Sequence, residues 1–156
     1  MNLIRRKFVK TTAFLSVGAT LVGSGLLIPQ RVLGAYAADA FAARDVAGAV
    51  SGSLGSSDFT ASDAVKLKAP DIAENGAVVP VTVSSSMGNV DAISIIATSN
   101  PGPLTSTYQL SSTCEPFVST RIKMAKTGDV IAVVKADGKL YSATKEVKVT
   151  IGGCGG

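Results

Sequence analysis

Apolar and polar residues alternate with a period of two over most of the chain beyond residue 64. Val79, Val81 and Val83 share one face, as do Ile93, Ile95 and Ala97. Thr120, Ile122 and Met124 alternate with Arg121 and Lys123, and Val147, Val149 and Ile151 alternate with Glu146, Lys148 and Thr150. Such alternation marks strands with one buried face. Residues 130–134 are apolar throughout, as a central strand would be. Asp137-Gly138 separates that run from Lys139-Leu140-Tyr141 and is a strong two-residue hairpin signal. Turn clusters at 73–76, 86–89 and 100–103 divide the remainder. With further strands at 65–69 and 107–110, the pattern predicts about seven short strands at the spacing of an antiparallel sandwich. The expected fold is all-β: an immunoglobulin-like antiparallel β-sandwich over residues 64–151, with the last strand running to Ile151.

Upstream, residues 39–50 are rich in alanine and predict one short helix with Asp39 as its N-cap. Residues 51–63 are dominated by Ser, Gly and Asp and read as a loop, so 38–63 is expected to be an N-terminal helix and linker. No internal repeat is visible. Residues 1–37 have a different layout: Ile4-Arg5-Arg6-Lys7-Phe8-Val9-Lys10, an uncharged stretch from 11 to 28, and small residues around Ala35-Tyr36-Ala37 and Ala38-Asp39-Ala40. Basic start, apolar middle and small-residue cleavage site are the parts of an export signal. The Arg-Arg-x-Phe-Val-Lys core resembles a twin-arginine signal, read by a receptor on bacterial proteins exported already folded. A retained membrane anchor is the competing reading, since 18 uncharged residues approach the length that spans a bilayer. Gly18, Gly23, Gly25 and several Ser and Thr dilute that stretch, which favours a cleaved signal and hence the periplasm.

Charge adds little once the signal is set aside. Of the 15 basic residues five lie in the first 37 positions, where there is no acid, leaving ten against the 11 acids. The mature part is therefore near neutrality, and nucleic-acid binding is not expected. The 156 residues suffice for one domain with a sizeable core. The absence of His excludes Ser-His and Cys-His nucleophiles and leaves no good metal site. A self-sufficient enzyme, a resident cofactor and a metal are all unexpected.

Candidate chemistry rests on two cysteines, Cys114 and Cys154. Cys154 stands in Gly152-Gly153-Cys154-Gly155-Gly156 at the end of the chain. Flanking glycines remove neighbouring side chains and free the backbone, so residues 152–156 are expected to form a flexible arm. At about 3.3–3.6 Å per residue, Cys154 could stand roughly 10 Å beyond the sheet. That suits a thiol which enters narrow active sites on other proteins. A free thiol titrates near 8.5, so about 3% is thiolate at neutral pH, and activation would have to come from partners. A structural Cys114–Cys154 disulfide competes with this reading, since paired cysteines are usual in an oxidising compartment. A prenylation box needs Cys one place further from the end, and ubiquitin-like sulfur carriers ending in Gly-Gly act in the cytosol. A non-catalytic sandwich that binds a protein partner is the alternative function class.

Val147-Lys148-Val149-Thr150-Ile151-Gly152-Gly153-Cys154-Gly155-Gly156 resembles the end of the SoxY family, the sulfur-substrate carriers of the periplasmic Sox (sulfur-oxidising) pathway. The likeness extends through residues 69–76, Val79-Pro80-Val81, Asn100-Pro101-Gly102-Pro103, residues 119–123 and Ala136-Asp137-Gly138-Lys139. It implies an immunoglobulin-like domain in a heterodimer with a second β-sandwich subunit, SoxZ. It also implies that Cys154 covalently holds thiosulfate and other reduced sulfur species, with no catalytic centre on the carrier. A c-type haem enzyme would join thiosulfate to the cysteine, a hydrolase would release sulfate, and in some organisms a sulfane dehydrogenase would act on the sulfur left behind. Cys114 departs from the family picture of one functional cysteine. An interchain disulfide to the partner subunit and a buried free thiol are both open for it.

Overall fold

The computed structural model describes residues 37–152. The expected export signal, apart from residue 37, and Gly153, Cys154, Gly155 and Gly156 lie outside the described residues.

Two helices, α1 (Ala38–Ala42) and α2 (Val46–Leu54), precede nine strands among the described residues. These are β1 (Phe59–Ala61), β2 (Val65–Lys68), β3 (Ile72–Ala73), β4 (Val79–Ser85), β5 (Val90–Ala97), β6 (Leu104–Gln109), β7 (Phe117–Ile122), β8 (Gly128–Ala136) and β9 (Lys139–Val149). They make two sheets. The larger has the order β1-β9-β8-β5-β6, with β3 also beside β9, and the smaller is β2-β4-β7. Their facing sides bury Val79, Val81, Val83, Ile93, Ile95, Val130, Val134 and Val147 in one core. This is the predicted immunoglobulin-like sandwich.

The apolar run at 130–134 is explained by the position of β8. It is flanked by β5 and β9 and covered on both faces. Val130, Ala132 and Val134 enter the sandwich core, while Val133 meets a second core under the helices. That second core joins Ala49, Val50 and Leu54 of α2 to Ala92, Ile96 and Leu140 of the large sheet. Full burial of a side chain such as Leu54 is worth about 1.5–3 kcal/mol. The β8–β9 turn has φ of 48° at Asp137 and 74° at Gly138. Positive φ at both central residues gives the hairpin its type I′ form.

Five expectations are corrected. The alanine-rich stretch forms two helices, broken at Ala43-Arg44-Asp45. Asp45 rather than Asp39 is the side-chain cap: it is extended (φ −132°, ψ 160°) and its Oδ1 accepts from Gly48 N at 2.7 Å. A capping carboxylate competes with continued helix and so restarts it. The expected linker is also partly ordered, because α2 runs to Leu54 and β1 pairs with β9, Phe59 opposite Leu140. Three residues are too few to display a period, so only the open edge of β9 defines that strand. The sandwich is not wholly antiparallel, since β1 and β3 both run parallel to β9 and cover its outer edge in two pieces. Finally, β9 stops at Val149, and Ile151 is 68% exposed.

Candidate functional site: the root of the C-terminal arm

β9 loses its β8 partner after Val147, which lies opposite Gly128. The residues that follow are held by two loops. On one side Val149 N donates to Thr127 Oγ1 at 2.9 Å. On the other, Thr150 N donates to Ala73 O at 3.1 Å and Thr150 Oγ1 to Glu74 O at 2.9 Å. Gly76 N donates to Ile151 O at 2.7 Å. Gly152 then lies against the 125 peptide so closely that a Cβ there would be 2.5 Å from the Ala125 carbonyl oxygen. No real side chain tolerates that approach to backbone, so glycine is required at this position by packing.

The loops themselves are braced. Met124 is fully buried and its N–H donates to Gly76 O at 2.8 Å, joining one loop to the other. Asn100 is a strut: its Nδ2 donates to Lys123 O at 2.7 Å and its Oδ1 accepts from Ala125 N at 2.8 Å. Ser99 Oγ donates to Lys126 O at 2.8 Å. Upstream, Lys145 Nζ pairs with Asp71 at 3.0 Å and donates to Ala69 O at 2.6 Å, tying the entrance of β3 to β9. Asn100 also lines a groove of about 380 Å³ between β6 and β7, together with Ser106, Arg121 and Lys123. Ser106 Oγ is buried there without a hydrogen-bond partner. Lys123, Lys126 and Lys148, all exposed, put positive charge on the segments that frame the root.

This geometry revises the arm. Gly152 belongs to the socket, so free chain can begin only after it. Cys154, two residues on, can place its Cα at most about 7 Å from that of Gly152. The socket residues Asn100, Thr127 and Thr150 escaped the sequence reading. Asn100 was legible only as part of a Pro-Gly-Pro turn, and its strut role depends on a loop 25 residues away.

Cys114 is free and exposed, which sets aside a buried thiol. It sits in a turn whose Cys114 N donates to Ser111 O at 2.9 Å, just before β7. β7 is six residues long, or about 20 Å, and the arm root lies at its far end. A disulfide needs Cα atoms within about 7 Å, so the separation disfavours the Cys114–Cys154 pairing. Among the described residues, no group of His, Cys, Asp and Glu could hold a metal ion.

A β-sandwich that fixes the root of a terminal cysteine arm has the build of a carrier protein. The model of the family "Sulfur oxidation protein SoxY" matches residues 51–154, a span that takes in the socket and reaches Cys154. Among solved structures, the sulfur carrier protein SoxY from Chlorobium limicola f thiosulfatophilum is 44% identical, with a TM-score of 0.62, covering 70% of this chain and 96% of that one. A superoxide reductase (neelaredoxin) from Ignicoccus hospitalis is 22% identical at a TM-score of 0.49, covering 55% of this chain and 79% of that one, a likeness too weak to bear on the site. No curated protein matches. The chain belongs to the SoxY family of sulfur carrier proteins.

Proposed function

We propose that the chain is a periplasmic carrier, without a catalytic centre of its own, that holds thiosulfate-derived and other reduced sulfur species covalently on Cys154. The observation that carries this reading is the socket at Gly152: a built exit point followed by Gly153-Cys154-Gly155-Gly156. Conjugation joins the Cys154 thiolate to the sulfane sulfur of thiosulfate as a sulfur–sulfur bond. The two electrons released pass to a c-type haem enzyme. Hydrolysis of the terminal sulfone consumes one water, frees sulfate and two protons, and leaves a persulfide anion on Cys154. A sulfane dehydrogenase can then oxidise that sulfur. The chain's own part is to hold the intermediate and present it, with Gly153, Gly155 and Gly156 keeping the arm thin.

The same reading has the precursor exported folded by the twin-arginine route, cleaved near Ala37, and paired with a SoxZ-like sandwich subunit. Family membership supports Sox partners in general. Mass spectrometry of the mature heterodimer after incubation with thiosulfate and the haem enzyme tests the central claim. A thiosulfate adduct mapped to Cys154 supports it, and an unmodified Cys154 rejects it. Changing Arg5 and Arg6 together to Lys should trap precursor in the cytoplasm, and a normal periplasmic yield would reject the export route.

A further inference from the structure

β6 ends the large sheet and β7 ends the small one, and no strand pairs with the outer edge of either among the described residues. The groove of about 380 Å³ that includes Asn100 is lined by residues from both of these strands. Its size is that of a small-molecule site. Leu104 and Ile122 give it a buried apolar part. Its charged lining residues are Arg121 and Lys123, both exposed, and no carboxylate lines it. Arg44 adds a cation close by, with Nη1 3.4 Å from the carbonyl of Pro101, the neighbour of Gly102 in the lining. The acids nearest in sequence are engaged or set apart in the fold. Asp45 caps Gly48 N, Glu115 precedes the opposite end of β7, and Asp129 is on β8, with β5 between it and β6.

A polar groove at a sandwich edge can simply be solvated, and two cations on its lip do not by themselves require a ligand. The hydroxyls make the difference. Thr105 is satisfied, since its Oγ1 donates to Ile95 O at 2.8 Å. Ser106 Oγ is shut off from water and has no hydrogen-bond partner. An unmet buried hydroxyl costs stability, and an acceptor brought into the groove, met by a turn of the Ser106 side chain, would remove that cost. Unpaired strand edges also offer main-chain N–H groups. Guanidinium, ammonium, hydroxyl and main-chain donors together suit an anion with several oxygens, of which Arg takes two and Lys a third.

We propose that the β6–β7 groove binds a small sulfur oxyanion by its sulfonate end, with Arg121 and Lys123 neutralising the charge and Ser106 donating to an oxygen. Two sources share this chemistry: a free anion such as thiosulfate or sulfate, and the sulfonate end of a conjugate on Cys154. Only the second source rests on the carrier reading above. The groove and the arm socket have a wall in common, because Asn100 lines the one while bonding Lys123 O and Ala125 N, and Ala125 O packs on Gly152 in the other. A load on Cys154 therefore starts its path beside the groove, where its charged end can be held.

The test uses the mature chain with Cys114→Ser, which leaves Cys154 as its one thiol, and reads amide chemical shifts by NMR at fixed ionic strength. One arm titrates thiosulfate, and separately sulfate, into the unconjugated protein. The other loads Cys154 with tetrathionate. The thiolate attacks a central sulfur, a new sulfur–sulfur bond forms, the central bond breaks, and thiosulfate leaves with the electron pair. Shifts should concentrate at residues 104–106 and 120–123, saturably with a free anion, on loading with the conjugate, and whichever arm produces them names the source. Arg121→Gln with Lys123→Gln should weaken free-anion binding at least about tenfold, or abolish the conjugate's shifts. Ser106→Ala should weaken it about threefold. Lys66→Gln with Lys68→Gln removes equal charge from β2 and should change it less than about twofold. The spectra themselves show that each variant is folded. The proposal is overturned if neither arm moves the groove amides, or if the shifts persist in the folded Arg121→Gln/Lys123→Gln protein. It is equally overturned if the β2 pair causes the same loss, or if shifts rise without saturation at cations all over the surface, which means an adventitious ion only. Tetrathionate stands in for the haem enzyme, so a silent groove leaves the carrier reading untouched, and an enzyme that fails to load Cys154 leaves both arms of this test to be scored.

Discussion

Both cysteines have small or polar neighbours in sequence, yet the two ends of the small sheet hold the chain leading to them in opposite ways. At the arm end, β7 runs into a loop pinned by Asn100, Ser99 and Met124, and that loop in turn pins the chain at Thr127–Val149 and Gly152. At the other end, Cys114 lies in a turn held by its own backbone bond to Ser111 and a local Ser111–Thr113 hydroxyl contact at 3.2 Å. The chain leading toward Cys154 is held as far as Gly152, whereas Cys114 is exposed in its turn. The hold comes from side chains and carbonyls up to 76 residues away in sequence, such as Glu74 O on Thr150.

The largest expected break in this contrast is the loss of the candidate carrier thiol. Cys154→Ser removes the only arm atom able to hold sulfur, so thiosulfate-dependent turnover with the partner enzymes should vanish, whereas Cys114→Ser should keep nearly all of it. Mass spectrometry and turnover measured side by side decide the matter. Equal retention of activity in both variants would show that neither cysteine carries the substrate.

Next in size is Gly152→Val. Its Cβ would meet Ala125 O at 2.5 Å, so the root must shift. A misplacement of about 1 Å commonly lowers rates up to a hundredfold, and overpacking here should cost about 1–3 kcal/mol of stability. Gly153→Val with Gly155→Val should slow turnover by widening and stiffening the arm, with no change in melting temperature. If Gly152→Val melts like wild type, the socket does not hold Gly152 and the arm is free from an earlier point.

Asn100→Ala sharpens the comparison more gently. It removes a strut with hydrogen bonds of 2.7 and 2.8 Å, at an expected cost of about 1–2 kcal/mol. Hydrogen exchange should rise at Ala125 and Gly76 and stay unchanged around Cys114. A uniform rise across the molecule would mean that Asn100 supports the fold generally and not the root.

The smallest effect belongs to Cys114→Ser. As an exposed substitution it should alter stability by less than about 0.5 kcal/mol. On non-reducing gels the wild type should show a covalent heterodimer that this variant lacks. Identical gels would leave Cys114 as an ordinary surface residue.

How much of this was readable beforehand depends on the range of the forces involved. The sequence by itself determined the sandwich strands, because a two-residue period is imposed by the backbone of a half-buried strand. It determined that 130–134 is central, since only a strand covered on both faces can be apolar throughout. It determined the Asp137-Gly138 hairpin, because positive φ at two successive positions demands such residues. The Gly-Gly-Cys-Gly-Gly terminus named the candidate thiol. Tertiary structure alone decided that Gly152 is packed. It looked like its neighbours in sequence, and only the approach of the Ala125 carbonyl shows that a side chain has no room there. The same holds for Asn100 and Thr127, ordinary turn residues until β5, β7 and β9 bring their loops together. β1 was invisible for a related reason: three residues show no period, and their strand exists because the edge of β9 was open to pair with them. Local rules are written in the order of residues, whereas a socket is made by segments that only the folded chain brings within hydrogen-bond distance.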